Sequence, residues 1–283
     1  MIILRTIAEV RDAVARARED GRSIGLVPTM GAFHEGHLSL MRRARAVDGF
    51  VVVSLFVNPT QFGANEDLGA YPRDEARDAA LAEAEGVDVL FAPPVAEVYP
   101  DGFATTIHVE GITDVLCGAS RGPHHFDGVA TVVAKLFGIV APDTAYFGQK
   151  DAQQVLVVRR LVRDLDIPVR IEACPIVRED DGLALSSRNV YLDAESRARA
   201  TALSRALAAA DDAARRGERD AGALIATALA VLGDAGIVPE YLELRDAVDL
   251  RPLDALEGDA LLAVAARVGA ARLIDNRILR GGA

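Results

Sequence analysis

From residue 24 onward the chain alternates short, unbroken apolar runs with longer stretches whose apolar positions recur every three or four residues. The runs are "IGLVPT", "FVVVSLFV" and "VDVLFAP", and between them lie "EGHLSLMRRARAV" and "RDEARDAALAEAEG". Short continuous runs rich in valine suit strands buried on both faces, and the helical period suits the segments that cover them. The order predicted is βαβαβ. The alternation resumes with a helix in "DGVATVVAKLFGIVAP", a strand in "TAYFG", a helix in "KDAQQVLVVRRLVRDLD" and a strand in "VRIEACP", with Gly86 and Pro168 marking helix-to-strand joins. Such a pattern predicts a Rossmann-like, doubly wound parallel sheet over residues 1–177.

After Pro175 the texture changes. A turn-rich segment, "VREDDGLALSSRN", precedes a long helix rich in alanine and arginine from about Asp193, and a second helix is expected near Ala221–Leu232. Three strand-like runs follow, "EYLELRDA", "LLAVAARV" and "ARLIDNRI". Short loops between them predict an antiparallel sheet, so residues 178–283 read as a smaller α+β domain. The fold class is α/β throughout the first part and α+β in the second.

Composition narrows the functional classes. With 283 residues, 51% of them hydrophobic, the chain has enough apolar material for a sizeable core. The opening "MIILRTIAEVRDA" is soon interrupted by charge, and the longest clean apolar run falls far short of a membrane span, so a cytoplasmic protein is expected. A formal net charge of −11 excludes a broad nucleic-acid surface, and an anionic ligand must be held by a local pocket. Cys117 and Cys174 lack metal-ligand spacing and are expected as free thiols. Of the 31 basic side chains only Lys135 and Lys150 are lysine. A compact ammonium on a flexible stem follows a phosphate differently from a planar guanidinium, which gives Lys150 a specific reason to be there. For Lys135 chance remains the simpler reading.

In an open parallel sheet the ligand crevice lies beyond the carboxyl ends of the strands. "PTMG", "NPTQFG", "FGQKD" and "VREDDGLALSSR" each follow a predicted strand, which brings four polar, glycine-bearing segments to one rim. There His34 and His37 lie in or just before the first turn of a helix, where unpaired N–H groups and the helix dipole favour phosphate. Their spacing sets both imidazoles on one side, and Gly36 between them allows close approach of a flat ligand. Either histidine alone would read as an ordinary surface residue. Zinc-protease histidines are four apart with an adjacent glutamate, a pattern absent here.

The arrangement H-x-G-H after a first strand, with "LALSSRN" after the last, resembles the nucleotidyltransferase superfamily that includes class I aminoacyl-tRNA synthetases, whose mobile second signature loop "LALSSRN" would match. More narrowly, "VPTMGAFHEGH", "VNPTQFG", "YPRD", "HFDGVATVVAKLF", "FGQKDAQQ" and "DGLALSSRNVYL", in that order, resemble the pantothenate synthetase family over Ile24 to about Asn276. That resemblance implies an ATP-dependent ligase that condenses pantoate with β-alanine through a pantoyl adenylate, releasing pyrophosphate and AMP. It also implies Mg²⁺ with the ATP and a homodimer formed through the larger domain.

By the same resemblance, Met30, Gly31, Ala32, Phe33, His34, Glu35, Gly36 and His37 lie along ATP, with His37 at the phosphates. Gly148, Gln149, Lys150 and Asp151 form a second ATP segment, Val177 and Leu185 border the adenine, and Ser186, Ser187 and Arg188 close over the triphosphate from a glycine-hinged loop. His34, His37, Lys150, Ser186 and Arg188 are the implied catalytic set. Gln61, Gln154 and Asn58 are implied for pantoate, and Gln61 also for β-alanine. Asp78 resembles a family metal position, with a solvated helix carboxylate as the alternative, so no metal ligand is assigned. Two departures stand out: Gln149 replaces an acidic residue of F-G-E-K-D, and Arg121 lies four residues before His125 where the family pattern has three. Read from the residues, an adenylyltransferase acting on a phosphorylated acceptor shares the fold and the histidines but not "NPTQFG" or "FGQKDAQQ". A nucleotide-binding regulatory module would bind ATP without forming AMP. A tRNA synthetase fits poorly with an acidic chain that has no room for a tRNA-recognition domain.

Overall fold

The computed structural model describes residues 1–63, 68–69 and 71–281. By its contacts the chain falls into two compact units. The larger comprises Met1–Asp114, Gly118–Gln149 and Gln153–Pro175; the smaller comprises Val115–Cys117, Lys150–Ala152 and the chain from Ile176 onward.

In chain order, the larger unit contains β1 (Ile2–Leu4), α1 (Ile7–Glu19), β2 (Ile24–Thr29), α2 (Glu35–Val47), β3 (Phe50–Leu55), α3 (Glu75–Ala84), β4 (Val89–Phe91) and the short α4 (Val95–Val98). After the single turn α5 (Cys117–Arg121) come α6 (Pro123–Val140), β5 (Thr144–Gly148), α7 (Ala152–Asp164) and β6 (Arg170–Cys174). Among the described residues the strands form one parallel sheet in the order β1-β4-β3-β2-β5-β6. The chain steps outward from β2 through β3 to β4, then crosses back to lay β5 and β6 on the other side of β2. The reversal between β2 and β5 is the switch point at which open α/β sheets bind ligands, and "PTMG" and "FGQKD" are the segments that leave those two strands.

The sheet is apolar on both faces. Leu26, Val27, Val51, Val52, Val53, Leu90 and Phe91 are each 0% exposed, and each such side chain contributes roughly 1.5–3 kcal/mol on burial. Strand β1 and helix α1 precede the alternation legible in the sequence. A run of three, "IIL", is too short to register as a strand, yet Ile2 and Leu4 pair with Val89 and Phe91. Thr6 and Glu9 start α1 with a reciprocal capping box. At the opposite end of the sheet from the switch-point loops, the buried Tyr146 hydroxyl donates to Asp48 Oδ2 at 2.6 Å. Lys135 also has a physical reason: its ammonium lies 4.7 Å from the Phe103 ring centroid and 5.9 Å from that of Tyr99.

The smaller unit holds α8 (Ala194–Ala200), α9 (Ala202–Arg215), α10 (Ala221–Asp234) and an antiparallel sheet of β7 (Pro239–Asp246), β8 (Asp259–Val268) and β9 (Ala271–Arg280), ordered β7-β8-β9. The single long helix expected from Asp193 is two helices joined at Thr201, which caps both and keeps nearly helical angles of −61° and −19°. Asp193 starts the first by accepting the Ser196 N–H at 2.7 Å. Leu203, Leu207, Leu224 and Leu232 on the helices bury against Leu262 and Val264 of β8. Among the described residues no helix is long and apolar enough to cross a membrane.

Candidate active site

After β2 the chain turns sharply before α2. Gly31 and Ala32 are consecutive left-handed residues, with φ of 88° and 53°. That backbone costs a non-glycine residue roughly 1–2 kcal/mol, so Ala32 needs an anchor. Asp78, projecting from α3 and only 1% exposed, supplies it. Its Oδ2 accepts the Ala32 N–H at 2.7 Å and its Oδ1 the Phe33 N–H at 2.8 Å. Two charge-assisted bonds at roughly 1.5–3 kcal/mol each outweigh the strain. A Cβ on Gly31 would stand 3.0 Å from the same carboxylate, so glycine answers both the angle and the space there. Asp78 is therefore not a solvated carboxylate: it anchors the turn, each of its oxygens accepting one backbone N–H.

The histidines start the next helix. His34 is the N-cap of α2, and its Nδ1 accepts the Gly36 N–H at 3.1 Å, while His37 Nδ1 accepts the His34 N–H at 3.3 Å. This is a capping box in which two imidazoles take the places usually held by serine and glutamate. The ring centroids lie 4.2 Å apart. A ring nitrogen that accepts carries no proton, so both neutral rings bear theirs on Nε2. The expectation that unpaired backbone amides face a phosphate is not met for Ala32, Phe33 and Gly36, because Asp78 and His34 take those amides. Two Nε2–H donors of fixed tautomer stand in their place. Glu35 is exposed and pairs with Arg42.

The loop after β3 forms the 3-10 turn Pro59–Gln61, capped by Asn58. Asn58 is 1% exposed and fully engaged. Its Nδ2 donates to Gln61 Oε1 and to the Gly128 carbonyl, both at 3.1 Å, and its Oδ1 accepts the hydroxyls of Tyr99 at 2.8 Å and Thr60 at 2.9 Å. Gln61 in turn donates from Nε2 to Met30 Sδ at 3.1 Å. Asn58 thus stands behind Gln61 and orients it. In the paired glutamines of α7, Gln153 is the structural one, donating to the Ile112 carbonyl at 2.8 Å, and Gln154 is half-buried. Beside Met30 and Gly31 lies a cavity of about 510 Å³, lined on its other sides by Leu55, Phe56, Asp78 and Pro93.

The smaller unit carries the remaining candidates. Lys150 lies in the 3-10 turn Gln149–Asp151, directly after β5, yet Lys150–Ala152 groups with the smaller unit. Asn276 on β9 donates to the Lys150 carbonyl at 2.9 Å, and the Lys150 ammonium, 20% exposed, stands 3.8 Å from Asp151 Oδ1. Val177 and Leu185 face each other across a hairpin, the Leu185 N–H bonding the Val177 carbonyl at 3.0 Å and Gly182 turning at φ 89°. Arg178 donates to both oxygens of the buried Asp275, at 2.7 and 2.9 Å. Glu179 accepts from Asn189 at 2.8 Å and from Arg197 at 2.6 Å. The segment expected as a glycine-hinged loop is, within this unit, a hairpin stapled at several points. Ser186 ends it, its Oγ accepting the Arg188 N–H at 3.2 Å, and Ser186, Ser187 and Arg188 are half-buried.

Each unit thus collects its own set. Met30–His37, Asn58, Gln61, Gly148, Gln149 and Gln154 belong to the larger; Lys150, Asp151, Val177, Leu185, Ser186, Ser187 and Arg188 belong to the smaller. Sequence reasoning missed Tyr99, Gly128, Asp275 and Asn276, which hold the candidates from behind. Only "HFDGVATVV" drew attention to one of them, as part of a motif. Neither Cys117 nor Cys174 is in a disulfide, and Cys117 Sγ lies 3.1 Å from the Tyr241 hydroxyl. Burial pushes the Cys174 thiol up to about 11, with Glu172 adding to the shift.

The family described as pantoate-beta-alanine ligase matches residues 2–278. The chain is 56% identical to the pantothenate synthetase of Moorella thermoacetica, covering 99% of each chain, and 57% identical to that of Cereibacter sphaeroides, covering 97% and 98%. The pantothenate synthetase of Thermus thermophilus superimposes with a TM-score of 0.93 at 49% identity, over 99% of this chain and 100% of that one. A Francisella tularensis pantoate-beta-alanine ligase, solved with β-γ ATP and β-alanine, gives 0.80 at 34% identity, over 100% and 99%.

Proposed function

We propose that this chain, which belongs to the pantoate-beta-alanine ligase family, activates pantoate as an acyl adenylate before amide formation. The overall activity is that of an ATP-consuming ligase joining pantoate to β-alanine. A carboxylate and an ammonium do not condense unaided in water, so the acid must first acquire a leaving group. In the first step a pantoate carboxylate oxygen attacks the α-phosphorus, and the bond to pyrophosphate breaks. In the second the β-alanine amine attacks the acyl carbon, loses a proton and expels AMP. Little covalent chemistry is left to the protein, whose work is positioning and charge stabilisation.

The observation that carries this reading is the reciprocal imidazole cap at the switch point. His34 and His37 offer Nε2–H donors to the phosphates, and His37 stabilises the departing pyrophosphate as a neutral donor, since protonating Nδ1 would break the cap. Lys150 neutralises phosphate charge, Ser186 and Ser187 offer hydroxyls, and Arg188 offers its planar fork. Gln61 and Gln154 read pantoate as neutral amides, Asn58 holding the first of them; Gln61 also meets β-alanine. Gly148, Gln149, Asp151, Val177 and Leu185 serve the ribose and adenine. Mg²⁺ enters as part of the ATP substrate. Such an ion is held chiefly by phosphate oxygens and water with one or two carboxylates, and among the described residues no group of three or more His, Cys, Asp or Glu forms a protein cage of its own. The same reading carries a cytoplasmic setting and a homodimer formed through the larger unit.

The direct test omits each substrate in turn. Pantoate and ATP without β-alanine should support exchange of labelled pyrophosphate into ATP, and net AMP release should require β-alanine. Exchange that ignores pantoate, or AMP release without an amine, would contradict the scheme.

A further inference from the structure

We propose that Arg121 and His125 form a positioning relay, in which the arginine fixes the imidazole tautomer that clamps the backbone of Gln61. The inference deepens the proposed reaction and rests on the assignment of Gln61 to pantoate. His125 lies in the first turn of α6 and is 7% exposed. Its Nδ1 is 3.0 Å from the Gln61 carbonyl oxygen, and its Nε2 is 2.9 Å from Arg121 Nη1. A carbonyl oxygen only accepts and a guanidinium only donates, so Nδ1 carries the proton and Nε2 the lone pair. This is the opposite tautomer to that of His34 and His37.

The alternatives are each penalised. With the proton on Nε2, two N–H groups would oppose each other at the arginine while a lone pair faced the carbonyl. A doubly protonated ring would keep the bond to Gln61 but press its second N–H against a cation. Arg121 therefore acts on Gln61 without touching it. The contact needs the close approach of α6 to the 3-10 turn Pro59–Gln61, and the same helix provides it. A Cβ on Gly128 would lie 2.6 Å from the Gln61 nitrogen and from the Thr60 carbonyl, and the Gly128 carbonyl accepts from Asn58 at 3.1 Å. Gln61 is thus held by its main chain through His125 and by its amide through Asn58, both fastened to α6. Arg121 ends α5 and His125 lies in α6, with Gly122 between them at φ 84°, and this break lets the side chains meet at 2.9 Å although the arginine stands four residues before the histidine.

Two measurements on the intact protein decide the matter. Long-range ¹H–¹⁵N spectra should show His125 protonated on Nδ1, with His34 and His37 protonated on Nε2; an Nε2–H His125 overturns the relay. In steady-state assays His125→Ala should raise KM for pantoate about tenfold to a hundredfold, the range for an orphaned buried acceptor, while KM for ATP stays within about twofold. His125→Asn, whose amide N–H can replace Nδ1–H, should recover most of the loss. Arg121→Ala should give a smaller rise in the same constant and a mixed tautomer. A parallel rise in both KM values, or an asparagine variant as poor as alanine, overturns the relay. Should His125→Ala fail to fold, Arg121→Ala and the spectrum of the unsubstituted protein still decide. A wild-type rate that ignores pantoate would overturn the assignment of the reaction, with the tautomer result standing apart.

Discussion

The two candidate sets are held in opposite ways. In the larger unit the histidines are fixed locally, each capping the turn that contains the other, with a single buried carboxylate, Asp78, steadying the approach. In the smaller unit Lys150 and the Ser186–Arg188 segment are fixed remotely, from β9, by Asn276 and by the Asp275–Arg178 pair. Local capping sets a proton position as well as a place, because the imidazole nitrogens themselves form the cap. Remote stapling sets a place only, and leaves the ammonium and hydroxyl ends to adjust to a ligand. On the proposed reading, the larger unit offers preorganised neutral donors and the smaller an adaptable cationic group.

The largest effect should come from the side chains proposed to meet the phosphates. His37→Ala and Lys150→Ala are expected to lower pyrophosphate exchange by about two orders of magnitude or more, the scale of removing one charge-stabilising donor. His37→Gln separates the modes of action, because its amide can imitate Nε2–H but cannot serve as an acid. Exchange clearly above that of His37→Ala supports the neutral donor, and equal losses point to proton transfer. Next, Asp78→Asn sets an amide donor near the N–H groups of Ala32 and Phe33. Exchange should drop about tenfold and unfolding free energy by about 1–3 kcal/mol, read by kinetics and denaturant titration. A smaller shift is expected from the remote staple: Asn276→Ala should raise KM for ATP about threefold to tenfold and leave KM for pantoate unchanged, whereas equal changes in both would dissolve the contrast.

The smallest effects lie away from both sets. Tyr146→Phe should cost about 1–3 kcal/mol by leaving Asp48 short of a donor in the core, with exchange untouched. Cys174 adds a pH dependence of known sign. Its thiol is raised in the folded state to about 11, so between the ordinary thiol range and that value the unfolded chain binds fewer protons than the folded one. Stability should therefore fall as pH rises through this window, and Cys174→Ala should flatten the fall in a melting series.

Much of this arrangement was legible before any coordinates. The valine-rich strands and the helices between them follow from periodicity, since both are local properties of consecutive residues. The H-x-G-H and Ser-Ser-Arg segments stand out because glycine and histidine are costly or rare choices at such turns. What stayed hidden depends on partners far apart in sequence. Nothing near Asp78 says that it will reach Ala32 and Phe33, and "YPRDEARD" alone allows a solvated carboxylate equally well. The tautomers of His37 and His125 differ because one ring faces an amide N–H and the other a carbonyl, a distinction fixed by register between elements. Strand β1 was missed for a plainer reason: three residues carry too little pattern, and its stability comes from pairing with β4.

The central claim is that the histidine pair and the lysine act in the same chemical step, formation of the adenylate. It is tested most directly by a double-mutant cycle on pantoate-dependent pyrophosphate exchange, with His37→Ala, Lys150→Ala and the two combined. Groups serving one transition state give strongly non-additive losses, so the double variant should fall little below the worse single one. Losses that multiply, or exchange that persists in either single variant, would contradict it.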